Sequence, residues 1–163
     1  MSTRRTIAGL IGITAVSAAV MRGLTRRFEI KEVSMSPALL PGDWVAARRR
    51  TGVPGRGDIV IFVDPTGSGM NLVKRAIGLP GEEIRITQGR VTVDGAVLAD
   101  KWAQGSTSPD GVWAVPDGHV WVLGDNRGAS TDDGRHLGPI AIDNVHWIVV
   151  ARYWPASRIS LVS

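Results

Sequence analysis

The chain of 163 residues contains no cysteine. That excludes a disulfide scaffold, a thiol nucleophile and a thiolate zinc site, and leaves the redox compartment open. Lysine is nearly as scarce, with only Lys31, Lys74 and Lys101 among many arginines, so arginine carries generic positive charge here. The G-x-S-x-G elbow, the G-x-G-x-x-G fingerprint and the P-loop are all missing. His119, His136 and His146 have no metal-ligand spacing, and nothing in their spacing supports a Ser-His-Asp triad. No metal and no other cofactor is expected.

Charge is unevenly placed. Arg4, Arg5, Arg22, Arg26, Arg27 and Lys31 face a single carboxylate, Glu29, within the first 31 residues, although the whole chain has a net charge of only +4. The body beyond residue 31 is therefore close to neutral. A nucleic-acid partner is excluded on that ground, because phosphate recognition needs its cations on the folded domain.

The basic residues flank an uncharged stretch, Thr6–Met21. As a helix its 16 residues span roughly 24 Å, short of the ~30 Å hydrocarbon core. Extension to Leu24, with Arg22 snorkelling, brings the length to roughly 28 Å. A membrane anchor is the favoured reading; a cleaved signal peptide beginning at Arg4-Arg5 and a helix of a soluble core are the alternatives. The flank on the C-terminal side is the more basic, so the positive-inside rule alone would keep the body cytoplasmic.

Hydrophobic residues make up 44% of the chain, enough for a real core, while 20 glycines and nine prolines are dispersed as turn punctuation. The body reads as strands over 28–33, 44–47, 58–63, 72–77, 83–87, 90–93, 113–115, 119–123, 145–153 and 159–162. Residues 99–111 and the Gly-, Asp- and Ser-rich segment 124–139 read as loops, and a loop as long as the second is usually functional. No long amphipathic helix follows residue 24. The expected fold is mainly β, a small mixed β-barrel or β-sandwich over residues 28–163, with an N-terminal transmembrane helix in residues 1–27.

Two residues stand out chemically. Lys74 interrupts the apolar run Asn71–Ile77, where alternation sets it on one face with Leu72 and Ala76 and sets Arg75 on the other. Burial favours the neutral amine, which can then act as a general base, a role closed to arginine. A lysine snorkelling from an edge strand is the plainer alternative. Ser34 ends the first strand in Val33-Ser34-Met35-Ser36-Pro37, where Pro37 holds Ser36 extended. It could supply a nucleophilic hydroxyl and an oxyanion-binding amide, or simply cap a turn.

Taken together, four segments resemble the type I signal peptidases. These are Ser34-Met35-Ser36-Pro37 with Pro41-Gly42-Asp43-Trp44-Val45, then Arg56–Val60, then Val73–Glu82, and last Val115–Arg127 continuing to Ser130 and Gly138-Pro139. They follow the family order across residues 34–139. The resemblance implies a largely β serine peptidase with Ser34 as nucleophile and Lys74 as general base. It further implies Ser130 as the hydroxyl that orients the lysine amine, and Asp132 and Arg135 as a supporting acid–base pair. Arg75 and Asp125 are carried over as further supporting residues, and Met35 and Pro37 as the substrate-side loop. The implied partners are exported preproteins, cut after small residues at −1 and −3, and the lipid bilayer. The implied location is the cell membrane, single-pass, with the catalytic domain on the extracytoplasmic side.

Three departures accompany the resemblance. The Ser130–Arg135 segment is one residue longer than the family's, Glu32 stands where some members place an oxyanion donor, and the stretch from Lys74 to Gly124 is short. A narrower alternative is a maturation protease dedicated to one precursor, and a non-catalytic one is a membrane-tethered β-domain.

Overall fold

Strand β3 (Ile59–Val63) explains the architecture, because its sequence IVIFV has no polar alternation and is buried along almost its whole length. A strand of that kind must be covered on both faces. Val60 and Phe62 join a core with Ala76, Val122, Val145 and Ile148, while Ile59 and Ile61 join another with Val45, Ala47, Val149, Met35 and Leu39. The computed structural model describes residues 25–162, and the expected anchor lies outside the described residues except for its last three positions.

Around β3 the chain forms β1 (Thr25–Glu29), β2 (Trp44–Arg49), β4 (Asn71–Gly78), β5 (Glu83–Thr87), β6 (Arg90–Val93), β7 (Ala96–Val97), β8 (Gly111–Ala114), β9 (His119–Leu123), β10 (Ile140–Ala141), β11 (Val145–Trp154) and β12 (Ser160–Leu161). The larger sheet runs β1-β2-β11-β3-β4-β9-β10, with β12 attached to β11, and the smaller runs β7-β6-β5-β8. A third core, built on Ile77, Ile84, Ile86, Trp121 and Leu123, joins the two sheets.

The mainly β expectation holds, but two details of it are corrected. Every ladder is antiparallel, and the one parallel pairing among the described residues is the isolated bridge Gln104–Asn126. The end strands β1 and β10 do not pair with each other, so the larger sheet is not a closed barrel. Among the described residues no helix is long and apolar enough to cross a membrane.

The first strand also differs from its expected span. It covers Thr25–Glu29 rather than 28–33, because its partner begins at Trp44, opposite Glu29, just after the turn through Pro41-Gly42. Residues 25–27 of the expected anchor are thus part of β1. Ser34 therefore sits in a 3-10 turn, Val33–Met35, beyond the strand. Within the expected 124–139 loop the chain makes one helical turn, α1 (Gly134–Leu137), capped by Asp133, whose side chain accepts from the Arg135 amide.

Candidate active site

The turn carrying Ser34 is held from two sides. Met35 and Leu39 bury their side chains in the core beneath it, and the Leu39 amide donates to the Met35 carbonyl at 2.9 Å. From across the site, the Asn126 amide donates to the Ser34 carbonyl at 3.0 Å and its side-chain amide to the Val33 carbonyl at 3.4 Å. Ser36 is extended before Pro37, and the carbonyls of Pro37 and Ala38 accept from Arg158 and Arg152. Both arginines also bond to the buried Asp43.

Lys74 faces this turn from the middle of β4, opposite Val60. Its Nζ lies 2.9 Å from Ser34 Oγ, with lysine 4% and serine 8% exposed. Burial is the main influence on the amine and pushes its pKa below the ordinary lysine range. Asp133, Asp132 and Glu32 oppose that shift and Arg135 adds to it. The one hydrogen bond of the Lys74 amine among the described residues goes to Ser34, so this is a buried amine engaged with a hydroxyl, not a snorkelling edge lysine.

Strand alternation sends the next residue to the opposite face, where Arg75 Nε and NH2 donate to the two Asp125 carboxylate oxygens at 2.8 and 2.7 Å. A third bond reaches the Gly57 carbonyl, and the guanidinium lies 4.8 Å from the Trp102 ring centroid. Asp125 is the neighbour of Asn126, which grips the Ser34 turn. The Arg75–Asp125 pair therefore ties the lysine strand to the serine-gripping segment from behind, one residue away from each.

A second buried network stands beside the amine. Ser130 Oγ donates to Asp133 Oδ2 at 2.6 Å, the Gly124 amide donates to the same oxygen at 3.1 Å, and Arg135 Nε and NH2 donate to the carboxylate at 2.9 and 2.8 Å. Burial raises the Asp133 pKa, but the bonds from Arg135 and Ser130 outweigh it, and the carboxylate stays below its usual range. The expected Asp132–Arg135 pair is thereby corrected: the partner of Arg135 is Asp133, and Asp132 is exposed on the wall of the cleft. The extra residue in this segment puts the second aspartate, not the first, at the helix cap. The Ser130 hydroxyl likewise bonds to Asp133 rather than to the Lys74 amine.

Gly124 makes the junction of these parts fit. A Cβ there would lie 2.3 Å from Ser130 Oγ, 2.4 Å from Ser130 Cβ and 2.7 Å from the Ser34 carbonyl oxygen. Asp133, Asn126 and Gly124 were absent from the expected site. An aspartate just before Gly-Arg-His-Leu has the form of a helix cap, which was the one available signal for Asp133.

Ser34 and Lys74 open onto a cleft of about 570 Å³ whose walls include Phe28, Ile30, Met35, Ile61, Leu72 and Val73. Only Arg75–Gly78 of β4 pair with β9, so residues 71–74 have no strand partner on that edge among the described residues. Among the described residues no cluster of histidines and carboxylates could hold a metal ion.

The arrangement has a hydroxyl, an amine whose burial favours its neutral form, and a strand edge without a strand partner among the described residues, which suits hydrolysis of an extended peptide. The model of the family described as "Signal peptidase, peptidase S26" matches residues 3–154. The chain belongs to the signal peptidase family, S26. It is therefore a serine hydrolase of the signal peptidase type. A probable signal peptidase I-2 from Synechocystis is 33% identical, over 94% of this chain and 76% of that protein. A signal peptidase I from Leptolyngbya laminosa is 34% identical, over 91% and 79%. Among solved structures, a signal peptidase I from Enterococcus faecalis matches with a TM-score of 0.50 at 30% identity, covering 56% of this chain and 92% of that one.

Proposed function

We propose that this S26 peptidase removes signal peptides from exported preproteins with Ser34 as nucleophile and Lys74 as general base. The observation that carries the reading is the buried 2.9 Å approach of Nζ to Oγ. Neutral Lys74 takes the hydroxyl proton as Oγ bonds to the scissile carbonyl carbon. The Ser34 amide, which has no hydrogen bond among the described residues, is free to donate to the oxyanion. The lysine ammonium then returns its proton to the leaving amine as the C–N bond breaks, leaving an ester on Ser34. Neutral again, Lys74 takes a proton from water as its oxygen attacks the ester, and the hydroxyl is restored when the acid departs.

Asp133 and Ser130 act as positioning residues for the wall beside the amine. The open edge of residues 71–74 supports binding of the substrate as an added strand. The apolar walls of the cleft support a choice of small side chains at −1 and −3. The apolar stretch over residues 6–24 supports single-pass anchoring, with the catalytic domain on the extracytoplasmic face where signal peptides emerge. Trp44, 38% exposed beside the half-exposed Trp154, supports contact with the bilayer near the site.

The test uses the full chain in neutral detergent and a preprotein with alanine at −1 and −3. One cut after −1, located by mass, is expected, and phenylalanine at −3 should lower kcat/KM by about 10- to 100-fold. Cleavage elsewhere, or equal cleavage of both substrates, would overturn the reading.

A further inference from the structure

Arg26, from the basic flank after the apolar stretch, has no part in the chemistry above, and the fold brings it together with two arginines of β2 and its end in a second cleft. This cleft, about 560 Å³, lies on the β1–β2–β11 end of the larger sheet and is lined by Arg26, Arg49, Arg50, Asp143, His146 and Trp147. Arg49 pairs directly opposite Trp147, and Arg26 pairs with Ala47 two residues before Arg49 on the same strand. Alternation therefore keeps Arg26 and Arg49 on the face of Trp147. The Arg26 guanidinium lies 6.0 Å from that ring and 5.4 Å from the Phe28 ring.

These cations have little counter-charge. Arg26 and Arg49 are exposed and make no hydrogen bond or ion pair among the described residues. Arg50 spends two donors on the carbonyls of Val145 and Gly52 at 2.6 Å each, which fixes its position and leaves one nitrogen turned to Asp143 at 3.8 Å. The Asp143 side chain is fully exposed, so the one carboxylate near the cleft screens it weakly. Three guanidiniums line one cleft, two of them without a hydrogen bond or ion pair among the described residues and one preset by backbone bonds, and together they make a receptor for a phosphate.

We propose that this cleft binds the phosphate of an anionic phospholipid headgroup and so seats this end of the sheet on the lipid surface. Chain continuity selects a lipid among phosphate sources, since Arg26 comes two residues after Leu24, where the apolar stretch ends. The inference rests on the proposed anchoring of that stretch. A nucleic acid is disfavoured because the remaining exposed arginines of this strand pair, Arg27 and Arg48, project from the opposite face. Headgroup binding would offset the cost of basic residues on the side of the membrane that the positive-inside rule disfavours. It would also set the height of the active site, because β1 runs from Arg26 to the catalytic cleft and Ser34 follows eight residues after Arg26, at most about 26 Å of chain.

The test places the full chain in neutral maltoside micelles doped with dansyl-labelled phosphatidylglycerol or phosphatidylcholine and reads energy transfer from tryptophan. Phosphatidylglycerol should bind at least about tenfold more tightly than phosphatidylcholine, and the double variant Arg26→Gln/Arg49→Gln should lose about 20-fold in that affinity. The variant Arg85→Gln/Arg90→Gln, equal in charge but on the smaller sheet, should retain it. Equal binding of the two lipids, equal loss in both variants, or full displacement by inorganic phosphate would overturn the proposal. Peptide cleavage in the same micelles, read separately, should be unchanged by Arg26→Gln/Arg49→Gln, so failure of lipid binding leaves the Ser34–Lys74 reading standing.

Discussion

Exchanging the two neighbouring aspartates separately tests the account of the buried network. Asp133 is fully buried and accepts from Ser130, Arg135 and the Gly124 amide, whereas Asp132 is exposed. Asp133→Ala would leave Arg135, whose side chain is 3% exposed, without its carboxylate and would free the Ser130 hydroxyl. Removing one partner of such a pair costs about 3–5 kcal/mol, against a total stability of about 5–15 kcal/mol for a domain. At about 2–4 °C per kcal/mol for a chain of this length, Tm should fall by on the order of 10 °C. Asp132→Ala breaks no described hydrogen bond and should change stability by less than about 0.5 kcal/mol. Thermal unfolding of both variants in the same detergent decides the matter. Equal Tm losses, or a greater loss for Asp132→Ala, would refute the assignment of Asp133 as the partner of Arg135.

Other consequences follow from the same geometry. Gly124→Ala should lower kcat by about 100-fold, because the new methyl must displace Ser130 or the Ser34 carbonyl. Gly128→Ala, with open space around its Cβ, should leave the rate nearly unchanged in the same assay. The depressed Lys74 pKa means that the folded chain holds fewer protons than the unfolded one from the folded pKa up to the ordinary lysine value. Through that window this group's contribution to stability rises with pH; it is complete above the ordinary lysine value and is lost as pH falls to and through the folded one. Lys74→Met should therefore raise Tm at neutral pH by about 3 °C while abolishing cleavage, as unfolding scans and a cleavage assay would show. Since the lysine must be neutral to act, kcat/KM should rise with pH through its pKa. Glu32→Gln removes a negative neighbour that supports the ammonium and should move that limb to lower pH; a shift upward would refute the sign.

Much of this was legible in the chain because alternation is a strong constraint. The runs 83–87, 90–93 and 119–123 form strands over those spans, since the first two alternate, the third is apolar after His119, and each is closed by turn residues. The opposite facing of Lys74 and Arg75 follows from the same two-residue period. The placement of Ser34 in a 3-10 turn was less visible, because Phe28–Val33 continues to alternate after the partner strand has run out. The Asp132 assignment failed for a related reason. Linear spacing cannot tell which of two adjacent aspartates turns inward, and that choice is made by the helix cap and by Arg135. The gathering of Arg26 with Arg49 and Arg50 was beyond reach as well, because it depends on the register between β1, β2 and β11.

Turnover of a preprotein by Ser34→Ala and Lys74→Arg, each compared with the parent chain at matched Tm, tests the dyad most directly. The account predicts that each change lowers the rate by at least about 1,000-fold, since the hydroxyl cannot be replaced and a guanidinium does not deprotonate. Folded Ser34→Ala or Lys74→Arg protein that still cleaves within about tenfold of the parent would contradict it.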